Sequence, residues 1–326
     1  MRVLRFLADG EFHSGEGLAH ALDVSRGSIW HAIRELETLG LDIYKVRGRG
    51  YRVSKPVCLL EQSKIRSQLG SLAPHFSLEL ATSIESTSTR LLELAARGAA
   101  SGTVVAAEWQ SGGRGRFART WHAAVGGSLL FSLLWRFERG VGALSGLSLA
   151  AGVAVARGLE ALGASAIAVK WPNDLLWNGR KLAGILIELQ GDALGPTAAV
   201  IGVGVNVRLS ETDRARIGQP AADLEETCGA APDRNAALAR VLAELHRALE
   251  VFGKKGFGPL RGEWERRHAH RDALITLLVP GGARATGRAR GVGDDGALLL
   301  ETGAGIERHH SGEISLRSAR SATSDA

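Results

Sequence analysis

The sequence predicts an α+β chain of three parts, and three patterns predict it. Residues 1–56 place three short amphipathic helices ahead of two β-type runs. Residues 57–268 mix helical stretches with apolar runs but lack the regular strand–helix alternation of a doubly wound sheet. From residue 269 onward, short apolar runs sit between glycine-rich turns, the spacing of a small all-β barrel. A chain of 326 residues accommodates three such units.

In the first part, Val3, Leu4, Phe6 and Leu7 form a short helix that ends at Asp9-Gly10. Ser14 is a fair N-cap for a second helix, with Leu18 and Leu22 one turn apart. Ser25 opens a third, in which Ile29, Ala32, Ile33, Leu36 and Leu39 keep helical spacing until Gly40 closes it. Runs 41–46 and 50–53 then make a hairpin around Arg47-Gly48-Arg49. Three helices and a hairpin is the order of a winged helix-turn-helix, assigned to residues 1–56. Residues 1–55 carry nine Lys/Arg against seven Asp/Glu, yet 45–55 hold Lys45, Arg47, Arg49, Arg52 and Lys55 with no acid. Such a wing suits a phosphate backbone, with the third helix in the major groove. The expected DNA contacts are Ser25, Arg26, Ser28, His31 and Arg34 on that helix and Arg47 and Arg49 on the wing. A module used only for packing or dimer contacts is the plainer alternative. Trp30 fits either core or DNA face, with core preferred.

Helical stretches in the middle part are 61–69, 87–97, 144–162 and 234–252, and β-type runs are 104–107, 129–135, 166–170, 184–189 and 198–205. The most apolar stretch, 147–169, is interrupted by Arg157, Glu160 and glycines, so it reads as a core helix and a strand, not a membrane span. Barrel runs 274–279, 297–300 and 314–316 follow, bounding a unit at 269–317 with a flexible tail at 318–326. Composition is 45% hydrophobic and 23% charged, that of an ordinary soluble globular protein. A net charge of +6 permits nucleic-acid binding without establishing it. Cys58 and Cys228, without metal-ligand spacing, read as small buried hydrophobes in a reducing compartment. The first apolar run is too short for a signal peptide, so the expected location is the cytoplasm.

Four clusters carry possible chemistry. Residues 108–121 read EWQSGGRGRFARTW, arginines set between glycines. Glycines let backbone approach a ligand, and guanidiniums offer planar forks of donors for phosphate or carboxylate. Holding Arg114, Arg116 and Arg119 together on a mobile loop is unfavourable unless an anion neutralises them, so the loop is expected to order over a small anionic ligand. Gly113-x-Gly115-x-x-Ala118 formally matches a dinucleotide fingerprint, but a strand and not a helix follows it. No Walker A pattern is present. Lys170-Trp171-Pro172-Asn173-Asp174 ends a strand in a turn whose tip carries Asn173 and Asp174, suited to Mg²⁺ or a ligand, with Lys170 able to reach a phosphate. Gly179-Arg180-Lys181-Leu182-Ala183-Gly184 sends Lys181 toward a site bounded by bare backbone, or is a solvated hairpin. In Ile201-Gly202-Val203-Gly204-Val205-Asn206, glycines on one side of a strand open a flat slot for a ring-shaped ligand, or admit a packed helix.

Together with Ser86-Thr87-Ser88, these clusters resemble the biotin–protein ligases: ESTS, EWQSGGRGR, KWPNDLLWNGRKLAGILIEL and GVGVN stand in that order. GEFHSGEGLAHALDVSRGSIW, the wing RGRGY and the C-terminal GALLLETG and GEISLRS are similar to the bifunctional ligase–repressors of that family. The resemblance implies a class II synthetase-like catalytic core, an SH3-like C-terminal barrel, and ligation of biotin to a lysine of the biotin carboxyl carrier protein of acetyl-CoA carboxylase. ATP and Mg²⁺ would be required, and the chain would bind operator DNA as a homodimer and respond to biotinyl-5′-AMP. Carried over residue by residue, Ser86, Thr87, Ser88, Gln110, Gly113, Arg114, Gly115, Arg116, Lys181, Gly184, Gly202 and Gly204 would contact biotin. Arg116, Arg119, Trp121, Lys170, Asn173, Lys181 and Asn206 would contact ATP, and Asp174 the metal. Lys181, Arg114, Arg116 and Asp174 would be catalytic.

Two departures from the family stand out. The loop commonly reads GRGRRGRxW, whereas Phe117 and Ala118 here replace an Arg and a Gly. The third helix carries Trp30 and His31 where a smaller polar residue and a Lys are frequent. Two other readings remain: a ligand-sensing repressor that makes no adenylate, which the pair Lys170 and Lys181 disfavours, and a lipoate-type ligase, which should lack the GRGR loop.

Overall fold

The computed structural model describes residues 2–279 and 281–316; the expected tail at 318–326 and Arg317 lie outside them. At the N-terminus, helices α1 (Arg2–Leu7), α2 (Gly15–Leu22) and α3 (Arg26–Thr38) precede an antiparallel hairpin of β1 (Ile43–Val46) and β2 (Gly50–Val53). Ser14 and Ser25 cap α2 and α3 by accepting from the Gly17 and Ser28 amides at 2.9 and 3.0 Å. Gly50 has φ +101°, and a Cβ there would stand 2.0 Å from the His13 carbonyl, so β2 seats against the 13–14 backbone only with glycine. Leu4, Leu7, Leu18, Ile29, Ile33 and Leu36 close a small core. Trp30 is not part of it: the indole is 46% exposed, because Ile29, Ile33 and Leu36 already fill the inner face.

A linker joins this unit to the next, and buried polar groups fasten it. The Leu60 amide donates to Glu108 at 2.6 Å, and Arg234, 1% exposed, donates to both the Cys58 carbonyl and Glu108. The Glu61 amide donates to Asn235 at 2.7 Å. Val125 buries in the helical core, and Trp109, Val57 and Leu59 pack beside it. The winged unit is therefore seated on both ends of segment 108–127. Both cysteines are unpaired and only partly buried, short of the full burial expected; burial pushes the Cys58 thiol up.

Next come α4 (Gln62–Leu69), β3 (Ser77–Ala81), α5 (Thr87–Ala96), β4 (Thr103–Ala107), β5 (Ser128–Phe137), α6 (Leu147–Glu160), β6 (Ala168–Lys170), β7 (Asp174–Trp177), β8 (Arg180–Gly191) and β9 (Thr197–Asn206). The strands form one sheet in the order β3-β4-β5-β9-β8-β7-β6, in which only β3 and β4 pair in parallel. Strand alternation sorts the two faces. Leu129, Phe131, Leu133, Ile201, Val203 and Val205 join the large core with α6, while Leu134, Ala198 and Val200 meet α5. Gly202 and Gly204, in register with Ala198 and Val200, lie on the α5 side. Residues 141–160 are apolar enough by length and composition to cross a membrane, but α6 is a core helix as expected, buried along most of its length.

Helices α7 (Glu211–Ile217), α8 (Leu224–Cys228), α9 (Arg234–Lys255) and α10 (Gly258–Arg267) follow. Strands β10 (Leu274–Leu278), β11 (Arg284–Val292), β12 (Leu298–Thr302), β13 (Gly305–His309) and β14 (Glu313–Leu316) then form an antiparallel sheet in the order β13-β12-β11-β10-β14. The expected small all-β unit is present, with two strands more than its apolar runs announced. Arginines alternate with small residues along β11, and charged side chains cover β13, so neither reads as apolar.

Candidate functional site

A cavity lies on the glycine face of the central sheet, beneath the loop that runs from Gln110 to His122. Its floor is polar. The Ser86 hydroxyl caps α5 through the Thr89 amide, the Thr87 amide donates to Gln110 Oε1 at 2.6 Å, and Thr87 and Ser88 hydroxyls meet Ser132 Oγ at 2.8 and 3.0 Å. Ser132 was missed by sequence reasoning; its signal is one hydroxyl inside the apolar run 129–135. A Cβ on Gly202 would come within 2.6 Å of Ser88 Oγ, so glycine there lets the start of α5 close on the sheet.

Gly184 and Gly204 do accept a flat ring, but it is the chain's own. Cβ atoms added there would meet the Trp121 indole at 2.9 and 2.5 Å, and the indole N–H is buried without an acceptor. Lys181 Nζ lies 5.6 Å from the centre of that ring and 2.8 Å from Asp174 Oδ1. A bulge near Leu182 sets Lys181 opposite Leu176 while Gly184 faces Asp174. Asn206 fixes this stretch by donating to the carbonyls of Lys181 and Ala222 at 3.2 and 3.0 Å. Asn173 donates to the Ile185 carbonyl at 2.8 Å and accepts from Arg116 at 3.3 Å. Asp174 is not at the tip of the turn: it begins β7 and pairs with Lys170, which lines the same cavity from the end of β6.

The loop arginines correct one expectation. No outside anion is needed to hold them, because the chain supplies an acceptor for each. Arg114 pairs with Glu188 at 3.0 Å, Arg119 grips Glu313 through two bonds of 2.6 and 2.7 Å, and Arg116 donates to Asn173 and to the Gly312 carbonyl at 3.2 Å. Burial draws the Arg116 pKa down; the hydrogen bond to Glu313 draws that of Arg119 up and keeps Glu313 below the usual carboxylate range. Glu188 and Glu313 were also missed, since both stand far from the loop in sequence. Phe117 and Ala118 have φ of +55° and +56°, a region that costs a residue with a Cβ about 1–2 kcal/mol. Gly115 lines the cavity and donates to the Arg119 carbonyl at 2.7 Å. Gly113 does not line it: its carbonyl takes the Trp121 amide at 2.8 Å and its bare Cα lets the two arms of the loop meet.

On the winged unit, Arg26, Ser28, His31 and Arg34 are exposed along α3. Ser25 and Ser28 hydroxyls bond each other at 2.9 Å at its N-terminus. Arg49 lies over Phe12 at 4.2 Å, and Arg47 is exposed at the wing tip. The acid-free wing is not wholly unpaired: Lys45 meets Glu37 at 2.8 Å and Lys55 lies 3.7 Å from Glu225. Among the described residues, no three His, Cys, Asp or Glu side chains cluster to hold a metal.

Comparison with known proteins follows the same division. Residues 1–52 match an HTH domain, 80–206 the Biotin/lipoate A/B protein ligase family, and 275–317 the Biotin protein ligase C terminal domain. The chain is 39% identical over 321 residues to the bifunctional ligase/repressor BirA of Escherichia coli (strain K12), covering 98% of this chain and 97% of that protein. It is 33% identical over 312 residues to BirA of Bacillus subtilis (strain 168), covering 95% of each. Biotin protein ligase from Aquifex aeolicus, solved in complex with biotin and ATP, is similar with a TM-score of 0.63 and 31% identity, over 74% of this chain and 99% of that one. The chain therefore belongs to the biotin protein ligase family, among its bifunctional ligase/repressor members.

Proposed function

We infer that this chain is a biotin–[acetyl-CoA-carboxylase] ligase that also represses biotin genes, and that both substrates of the ligation meet in the cavity under the Gln110–His122 loop. The observation that carries the reading is Lys181 Nζ, held 2.8 Å from Asp174 beside glycine-backed strands and the loop arginines. In this reading Ser86, Thr87, Ser88 and Gln110 hold the head group of biotin, Gly202 lies at its wall and Gly115 gives backbone room, while Gly113, Gly184 and Gly204 act indirectly, by letting the loop arms meet and by seating the Trp121 ring. The biotin carboxylate attacks the α-phosphorus of ATP, the bond to the β-phosphate oxygen breaks, and pyrophosphate leaves. Two anions must approach, so Lys181, Arg114 and Arg116 stabilise the charge between them. Arg119, Trp121, Lys170, Asn173 and Asn206 hold the nucleotide; Trp121 offers its ring for stacking. The ε-amine of an acceptor lysine, on a biotin carboxyl carrier protein, then attacks the anhydride carbonyl and AMP leaves. Meanwhile the loop keeps water from the anhydride.

Mg²⁺ binds by one or two carboxylates plus substrate phosphates, so Asp174, in the cavity lining, fits an ion that arrives with ATP. Asp174 would hold it, and its charge would offset that of the phosphates. We divide the chain at 1–56, 57–268 and 269–317, and place its work in the cytoplasm as a homodimer on operator DNA. Arg26, Ser28, His31 and Arg34, with Ser25, Arg47 and Arg49, make the DNA face.

Incubation with biotin, ATP-Mg²⁺ and a biotin-acceptor domain, followed by detection of transferred biotin, tests the enzymatic half. No transfer with biotin but transfer with lipoate identifies a lipoate-type ligase; no adenylate at all identifies a sensor only.

A further inference from the structure

We propose that Trp30 reads a thymine in the major groove of the operator and steadies Arg34 for a guanine nearby, an inference that rests on the repressor reading above. Three observations support it. The indole is 46% exposed on α3, although Trp is ordinarily buried to a large extent. Among the described residues, its aromatic and cation contacts come from its own helix: the Arg34 guanidinium lies 5.4 Å from the ring centre, and the His31 ring meets it edge-on at 5.0 Å. Third, helical geometry places Trp30 seven residues before Glu37 on one stripe, and Glu37 reaches Lys45 on the wing at 2.8 Å. Trp30 thus flanks the groove-facing side of α3, toward the wing and near the N-terminal end from which recognition helices contact bases.

The chemistry of that flank selects nucleic acid. Arg26 and Arg34 stand one helical turn to either side of Trp30, Arg47 and Arg49 are exposed on the wing, and none of the four has a carboxylate partner among the described residues; the acid on the Trp30 stripe, Glu37, is already paired. Glu35 is exposed on the opposite flank. An indole rim has no acceptor and a broad apolar edge, which matches the C5-methyl of thymine; a guanidinium with a fixed plane matches guanine O6 and N7. Trp30 and Arg34 are one helical turn apart, about 6 Å along the axis, so the two bases should lie within about two steps of each other.

Selection of duplexes from a random pool by the full chain, with biotin and ATP-Mg²⁺, tests this. The wild type should select a thymine close to a guanine. Trp30→Ala should lose the thymine preference and bind the selected duplex about tenfold more weakly, the size of one lost base contact. Trp30→Phe should keep most of it. Uracil at the selected thymine removes only the methyl; it should weaken the wild type by the same factor and leave Trp30→Ala unchanged. Non-specific binding, its salt slope and biotin transfer should not move. An unchanged motif and affinity in Trp30→Ala overturns the proposal. So does loss of ligand-dependent dimerisation with the motif retained, which would make the indole a protein contact. Failure of the wild type to select any sequence instead overturns the repressor reading.

Discussion

The cavity and the winged head both present cations, but they hold them in opposite ways. Around the cavity each guanidinium or ammonium that the loop and β8 contribute has an acceptor from the chain: Arg114 has Glu188, Arg116 has Asn173 and Gly312, Arg119 has Glu313, and Lys181 has Asp174. On the head, Arg26, Arg34, Arg47 and Arg49 are exposed and have no carboxylate partner among the described residues; two of them lie on aromatic rings. The first arrangement fixes donors in place before a small anion arrives. The second leaves charge free for a polyanion whose released counterions drive association. A site for one acyl-phosphate needs geometry, whereas a phosphate backbone needs charge.

The join between the two regions is the point at which the comparison breaks most severely. Replacing Arg234 with Met should leave Glu108 buried and unpaired and destabilise the chain by roughly 3–5 kcal/mol, read as a lower urea midpoint. Because Glu108 opens the loop and holds the linker amide of Leu60, biotin binding and DNA binding should fail together.

Lys181→Ala acts on the cavity alone. Adenylation, followed as pyrophosphate release, should fall by about 10²–10³-fold, the scale of a lost transition-state donor. Non-specific DNA binding should be unchanged, and a loss there would erase the distinction between the regions.

A third place refuses charge altogether. His268 and His270, at the junction of the central sheet and β10, are buried with unpartnered ring nitrogens; burial first, then the His270 ring for His268 and Lys170 for His270, pulls both to about 4. Their folded values lie below the unfolded 6.5, so the unfolded chain binds more protons between them. Stability should be complete above pH 6.5 and be lost as pH falls toward 4, by on the order of 3 kcal/mol for each histidine. Thermal midpoints across that range measure it, and His268→Phe should flatten the curve.

The smallest effect concerns the tether from loop to β14. Arg119 and Glu313 are partly exposed, so Glu313→Gln should cost less than about 1 kcal/mol. Since Glu313 titrates below its ordinary 4.5, the tether holds above that value and weakens as acid protonates it. Limited proteolysis of the loop, faster in Glu313→Gln at pH 7 and equal to wild type at low pH, checks both points.

Much of this division was legible in the sequence because it is local. Capping serines and apolar residues at helical spacing marked α2 and α3, and alternating glycines marked the bare face of β9. What stayed hidden depends on distance along the chain. Glu188 and Glu313 are ordinary strand acids until folding brings them to the loop. The preference for Trp30 as core failed because the volume already filled by Ile29, Ile33 and Leu36 was unknown. Trp121 looked like the end of the loop, not the ring that lies over Gly184 and Gly204. Strands β11 and β13 lack apolar runs because their exposed faces carry arginine and glutamate.

The central claim is that a loop held by the chain's own acceptors closes over an acyl-adenylate and keeps it. Mixing the protein with biotin and ATP-Mg²⁺ in the absence of any acceptor, and counting pyrophosphate, tests it directly. Release of about one equivalent per chain, followed by arrest until an acceptor domain is added, is the predicted result. Steady release without acceptor, or none at all, would contradict it.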